Sequence, residues 1–245
     1  MPLLKTEALI LRTFEYSESS LIVWFFTRDH GRLHAIAKGA RRARSDFEGA
    51  LEPFVQGEIE VYRSEKRELD ILKSLELTQV PTMLRASLAR LERAYYCAEL
   101  LSKAVQPDDP APELYGEAVA TFAALSGAPL GAGDSWVLFF EGRLLRALGL
   151  FPSLTCCVSC GVELAESRVS FDVAQGGVVC EAHAQGLGQL SRGSLLGFRD
   201  LVDQGPDGKI RLMRGQVREL RALLARFWTY HLETELKTAR ALSRG

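Results

Sequence analysis

Four residues in the second half of the chain have the types and spacing of a metal site. Cys157 and Cys160 make a C-x2-C pair followed at once by Gly161, and Cys180 and His183 make a C-x2-H pair after nineteen intervening residues. A tetrahedral zinc ion takes four thiolate or imidazole ligands, and two tight pairs on separate turns deliver them. Between the pairs, Val169 to Val173 reads as a short strand, Gly176 and Gly177 as a turn, and Val178–Val179 as a strand entering Cys180. That is the hairpin of a zinc ribbon. Three Cys and one His fill every position, so the expected group is one structural zinc ion with no site left for water. Cys156 is an alternative to Cys157 as ligand, although the x2 spacing favours Cys157. The competing picture, buried thiols beside a surface histidine, leaves two independent pairs around a hairpin unexplained.

Catalytic alternatives fail on order and context. The H-x-E of zinc deaminases precedes their P-C-x-x-C element. Here His231-Leu232-Glu233 follows the cysteines, and no proline precedes Cys157. There is no H-E-x-x-H, and Gly127 to Gly133 lacks the Lys-Ser or Lys-Thr of a phosphate-binding loop. Gly186 and Gly188 lack the third glycine of a dinucleotide fingerprint. The expectation is a protein that is not an enzyme and takes no nucleotide cofactor.

A second chemistry is carried by charge. From Gly31 to Arg44 the chain holds Arg32, Lys38, Arg41, Arg42 and Arg44 and no acidic residue, although the whole chain balances 30 basic against 31 acidic residues. Several cations converging on a loop suit a phosphate backbone better than a uniformly solvated face does. These five are the candidate DNA-binding residues. Tyr16, Trp24, Phe25 and Phe26 are available to stack on bases, but strand alternation must turn at least two of them into the core. A further basic stretch, Lys209, Arg211, Arg214, Arg218 and Arg221, is opposed by Glu219 alone. It reads equally as a DNA path, a surface for an acidic partner, or a solvated helix face.

The elements that position these residues follow from periodicity. Glu7 to Thr13, Leu21 to Thr27, Arg32 to Ala37, Val55 to Tyr62 and Leu69 to Leu77 are short apolar and aromatic runs. Turn chemistry at Asp29–Gly31 and Ser64–Arg67 separates several of them. Five short strands predict a small closed barrel, OB-like or SH3-like. After Pro81 and Thr82 the period lengthens: Leu84, Leu88, Leu91, Tyr95, Ala98 and Leu101 mark an amphipathic helix. The Pro107–Pro112 linker leads to a second helix near Glu113 to Leu125, and Asp134 is placed to cap a third that Gly149 ends. Beyond the cysteine insert come a short helical stretch (Ser194 to Asp203), a turn (Gln204 to Gly208) and one long helix from Arg214 to about Leu242.

No apolar run reaches membrane-spanning length, and Lys5 and Glu7 break the N-terminal apolar stretch, so neither a membrane span nor a signal peptide is expected. Four clustered cysteines fit metal in a cytoplasmic protein.

On these residues the chain resembles the RecO family. The resemblance is carried by Tyr16-Ser17-Glu18, Leu21 to Val23, Phe26, Thr27 and Gly31, and most specifically by Lys38-Gly39-Ala40-Arg41 and Leu51-Glu52-Pro53-Phe54. Farther on it runs through Phe140 to Leu148, Leu150, Pro152, Leu154, Cys157, Cys160, Gly161, Gly176, Gly177, Cys180 and the His231 to Leu242 segment. It implies an α+β multidomain architecture. An N-terminal OB-fold β-barrel (1–80) precedes an all-α helical domain (81–151 and 186–245) with an inserted zinc-ribbon-like module (152–185). It also implies a recombination mediator of the RecF pathway that binds single- and double-stranded DNA and anneals complementary strands. Such a mediator works with RecR to load RecA on strands coated by single-stranded-DNA-binding protein, in the cytoplasm and at the nucleoid during repair. His183, where many relatives carry a fourth Cys, and the extra Cys156 depart from the pattern. A non-catalytic zinc adaptor that binds other proteins and not DNA is the alternative.

Overall fold

The computed structural model describes residues 2–47, 49–64, 69–206 and 210–242. The turn expected at Ser64–Arg67, part of that at Gln204–Gly208, and Lys209 lie outside them. The chain divides into two compact units, Met1–Gly127 and Ala128–Gly245.

In the first unit, period-two alternation produces β1 (Leu3–Glu15), β2 (Leu21–Thr27), β3 (Gly31–Ala37), β4 (Gln56–Tyr62) and β5 (Asp70–Gln79). They close into a barrel in the order β1-β2-β3-β5-β4. Strand β1 is long because its first half pairs with β4 and its second half with β2, with a register shift between Ile10 and Arg12. A parallel β3–β5 pairing completes the circle, which is the OB-like solution to the edge-strand problem. Inward positions, among them Ile10, Val23, Phe25, Leu33, Ala35, Ile59 and Val61, fill the interior. The segment between β3 and β4 returns Phe47, Leu51 and Val55 to the same core.

Phe54 explains why the Leu51–Phe54 element is so characteristic. It is 3% exposed, has a left-handed φ of 72°, and its ring lies 4.9 Å from Tyr95 and 5.3 Å from Phe122. A left-handed bulky residue costs about 1–3 kcal/mol, offset here by burial and by its N–H donating to the Ile10 carbonyl at 2.7 Å.

Two helices complete this unit, α1 (Leu88–Ala104) and α2 (Pro112–Gly127). The helix expected from Thr82 begins only at Leu88. Residues Thr82–Ala86 form a 3₁₀ turn, and extended Ser87 (φ −147°) resets the chain, its carbonyl accepting the Arg90 and Leu91 N–H groups. The proline-rich linker is tied down: Arg32 N–H donates to the Gln106 carbonyl and Asp108 N–H to that of His30, both at 3.0 Å. The close pass requires glycine at Gly31, where φ is +59° and a Cβ would stand 2.3 Å from the Gln106 oxygen.

The second unit contains α3 (Gly133–Ala147), β6 (Arg168–Asp172), β7 (Gly177–Val179), β8 (Gln189–Ser191), α4 (Arg192–Gln204), α5 (Arg214–His231) and α6 (Ala239–Leu242). Gly142 of α3 lets α4 approach closely, since a Cβ there would lie 2.1 Å from Val202 Cγ2. Buried Glu141 accepts the Trp228 indole N–H at 3.0 Å, joining α3 to α5. Asp134 sits inside the first turn of α3, not at its cap, and pairs with Arg221 at 3.0 Å.

The long terminal helix expected to reach Leu242 stops at His231. Glu233 adopts a left-handed φ of 51°, turning the chain so that Leu236 is buried and the Leu242 carbonyl accepts from Arg221 at 2.7 Å.

Candidate metal centre and nucleic-acid interface

The small sheet of the second unit, in order β7-β6-β8, exists to hold the cysteines. Gly176 (φ +73°) makes the β6–β7 turn. Gly177 has no room for a side chain, because a Cβ would meet the Ser153 oxygen at 2.8 Å. That contact lets the first cysteine loop dock: Val178 N–H donates to Ser153 and Val158 N–H to Val178, both at 3.0 Å. Gly161 (φ +76°) closes the loop, its N–H donating to the Cys157 carbonyl at 2.8 Å. On the other side, a 3₁₀ turn at Glu181–His183 folds the imidazole back over Cys180.

The result brings together all four residues that the spacing singles out. Cys157 Sγ, Cys160 Sγ, Cys180 Sγ and a His183 ring nitrogen lie within 4.8 Å of one another and could hold a metal ion. The Cys160–Cys180 sulfurs are 3.8 Å apart and Cys157 Sγ is 3.7 Å from His183 Nδ1. A tetrahedral ion with M–S of about 2.3 Å and M–N of about 2.0 Å places two sulfurs about 3.8 Å apart and a sulfur about 3.5 Å from a nitrogen. Cys156 is outside the cluster, its sulfur accepting from Thr155 Oγ1 at 3.8 Å. Burial opposes ionisation of Cys157, but backbone N–H groups of Cys180, Ser159 and Cys160 outweigh it and hold the thiol down at about 6.

The basic residues divide. Lys38, Arg41, Arg42 and Arg44 are exposed on the loop leaving β3. Among the described residues, Lys38, Arg42 and Arg44 have no carboxylate within ion-pair reach. Arg41 is anchored at 3.1 Å to Glu15 and to the Ser17 carbonyl, and its N–H donates to the Ser19 carbonyl at 3.1 Å, which fixes the loop against the β1–β2 turn. Arg32, which sequence groups with them, is engaged elsewhere. Its half-buried guanidinium donates to the Ser102 carbonyl in the last turn of α1, where a helix presents unpaired carbonyls and partial negative charge. In the second stretch Arg211, Arg214 and Arg218 are exposed, but Arg221 is consumed by Asp134 and Leu242. Glu219 is equally structural, accepting from Ser191 N–H at 2.9 Å and from the Ser194 hydroxyl at the start of α4.

Phe25 and Phe26 are fully buried, whereas Tyr16 is 58% exposed and Trp24 half-buried. Two further rings that sequence reasoning passed over join Trp24. His34 stacks on it at 4.4 Å and 15°, and Phe14 lies 5.2 Å away. Alternation was the available signal, since Trp24 and His34 are register partners on the outward parity of β2 and β3.

A family model described as Recombination protein O N terminal matches residues 1–81, and one described as Recombination protein O C terminal matches residues 85–240. The chain is 34% identical over 99% of its length to a protein named DNA repair protein RecO from Anaeromyxobacter dehalogenans (strain 2CP-C), covering 96% of that protein. It is 30% identical over its full length to the protein of that name from Desulforamulus reducens, covering 95% of it. The like-named protein of Rhodopirellula baltica is 38% identical over 71% of this chain and 64% of its own. Among the described residues no helix is long and apolar enough to cross a membrane.

Proposed function

Because the chain belongs to the RecO family of DNA repair proteins, we propose that it is a recombination mediator without catalytic activity of its own. It binds single- and double-stranded DNA in the cytoplasm, anneals complementary strands, and with RecR assists loading of RecA on strands covered by single-stranded-DNA-binding protein. The observation that carries the DNA contact is the exposed Lys38, Arg41, Arg42 and Arg44 group on one loop of an OB-like barrel. Such a loop gathers phosphates while the barrel wall remains free for bases. Arg32 serves the same loop indirectly, by fastening β3 to α1.

The Cys157, Cys160, Cys180 and His183 cluster holds one structural zinc ion in this reading, supported by the sulfur-rich donor set and the gathering of its four ligand atoms within 4.8 Å of one another. The 152–185 segment is then a zinc-dependent module, and metal supplies folding energy in place of an extensive core.

The test is equilibrium binding to labelled single-stranded and duplex oligonucleotides over a salt series, beside a Lys38→Ala/Arg41→Ala/Arg42→Ala variant. Each lost phosphate contact should reduce the log–log salt slope by about 0.7 on single strands and about 0.9 on duplex. The triple variant should therefore lose a slope of about 2–3. An unchanged slope refutes the loop assignment. No binding by the wild type at moderate salt refutes the mediator reading in favour of a protein-binding adaptor.

A further inference from the structure

Strand alternation in the barrel leaves one aromatic group without a place in any core. Positions of inward parity on β2 and β3, Val23, Phe25, Leu33 and Ala35, fill the interior. The outward Phe26 is covered by α2, its ring 5.7 Å from that of Tyr115. At the other end of the same face Trp24 stacks on His34 at 4.4 Å, Phe14 packs against Trp24 at 5.2 Å, and Phe14 remains 40% exposed. Tyr16, two residues beyond Phe14, is 58% exposed. Apolar rings half-open to water forgo burial free energy. Here they also belong to the barrel whose Gly31 to Arg44 run carries five cations and no acidic residue. Glu15, the residue after Phe14, pairs with Arg41, which holds the basic loop at the end of the strand that carries the first ring.

We infer that Phe14, Trp24 and His34 form a stacking platform for unpaired DNA bases, with the phosphates of the same strand running along Lys38, Arg41, Arg42 and Arg44. The inference rests on the DNA-binding reading above and adds a preference to it. Cations on a loop attract the backbone of either form of DNA. Ring faces reward only bases that are free to leave their own stack, which a duplex withholds. The platform therefore supplies a component of affinity that is confined to single strands and insensitive to salt, while the loop supplies one that is shared and salt-sensitive. His34 suits the inner position because its ring is neutral at physiological pH, burial and the nearby Arg32 charge both disfavouring the imidazolium. A neutral ring stacks without competing for the phosphates.

Oligothymidylate and a mixed-sequence duplex are the probes, and Phe14→Leu, Trp24→Leu and their combination are the variants, which keep apolar bulk and remove the rings. The combined variant should bind the single strand about tenfold to a hundredfold more weakly, with the duplex affinity and both salt slopes unchanged. Equal weakening on both probes, or an unchanged single-strand affinity, overturns the platform. Trp24→Leu risks disturbing the sheet, so a second readout keeps the platform intact. In a Trp136→Phe background the remaining tryptophans are Trp24 and the fully buried Trp228. Saturating oligothymidylate should quench the Trp24 component of the fluorescence, and duplex should not. Absence of quenching by a bound single strand overturns the inference. The two proposals separate cleanly. If the loop alanines weaken both probes while the ring variants weaken neither, the loop reading stands and the platform falls. If the wild type binds neither probe, the reading beneath both falls.

Discussion

His34 should make the barrel sensitive to mild acid, by an amount the structure bounds. Its imidazole is pushed down to about 4 from an ordinary 6.5, first by burial and then by the Arg32 charge. Its Nε2 is buried without a hydrogen-bond partner among the described residues. The unfolded chain binds the proton near the ordinary value and the folded chain resists it until about 4. Between those limits the unfolded state holds more protons, so stability falls as pH is lowered and the loss is complete below the folded value. Each pH unit of separation corresponds to about 1.4 kcal/mol, which sets a ceiling a little above 3 kcal/mol. The residue is only partly buried, and solvent screening reduces the realised cost to about 1–2 kcal/mol. Carboxylates titrate in the same range, so the measurement is a difference. Denaturant unfolding of the wild type and His34→Phe is followed at pH 7 and pH 5, with a probe of the first unit. Phenylalanine retains the ring packed on Trp24 and has no nitrogen to protonate or leave unpaired. The variant should equal or exceed the wild type at pH 7, and should lose about 1 kcal/mol less than it on going to pH 5. An identical loss in both proteins refutes the argument, because the proton would then be entering elsewhere.

The metal centre separates two adjacent cysteines. Cys156→Ser should retain one equivalent of zinc and the wild-type melting profile, while Cys157→Ser should lose zinc and the folded 152–185 module. Equal behaviour in a zinc assay and a thermal melt would show the ligand set to be misassigned. Chelation of the wild type should reproduce the Cys157→Ser profile. In the helical core, Gly142→Ala gains about 1 kcal/mol of helix propensity and loses about 1–3 to the clash with Val202. A net loss of up to about 2 kcal/mol in denaturant unfolding is expected, partly restored by Val202→Ala in the same chain, and a stabilised single variant would contradict the close α3–α4 approach.

The barrel was legible because each strand carries a complete local signal. Alternation at period two set the strands and turn residues set their ends, to within a few residues of where they lie. Sequence left OB-like and SH3-like closures open, because that choice rests on the β3–β5 pairing, a contact between positions more than thirty residues apart that leaves no mark on either strand. The metal site was legible for the opposite reason. Its ligands come in pairs three residues apart, and only the pairing of the pairs is non-local. Helix ends were the weakest part. Leu232 and Leu236 keep helical spacing past His231, so periodicity continues through a turn made by one left-handed residue, Glu233. Glutamate is a good helix former, and nothing in its type announces that conformation. Gly31 and Phe54 show the same limit, since their backbone angles answer to Gln106 on one side and to Tyr95 and Phe122 on the other.

Charge calls for a different accounting from hydrophobicity. Arg32 and Arg42 look equivalent in a basic run, yet one is spent on the Ser102 carbonyl near the end of α1 and the other is exposed on a loop. The same split separates Arg221, held by Asp134 and Leu242, from exposed Arg214 and Arg218. A cation drawn into the fold, as half-buried Arg32 is, adds little to phosphate binding, because releasing it costs the hydrogen bonds it makes, whereas exposed Arg41 is held by Glu15 and the Ser17 carbonyl and has five N–H donors to share with a phosphate. What qualifies a residue for a DNA contact is therefore a count of unspent donors, not a count of basic residues. By that measure a chain with near-zero net charge can still present a concentrated positive surface. Lys38, Arg42 and Arg44 lie together with no carboxylate partner among the described residues, while most of the acidic residues that balance the total lie elsewhere. Attraction of that kind is local and falls off over about 10 Å at moderate salt. It favours a mediator that gains a strand at one loop and releases it again, over a protein that coats DNA along its whole surface.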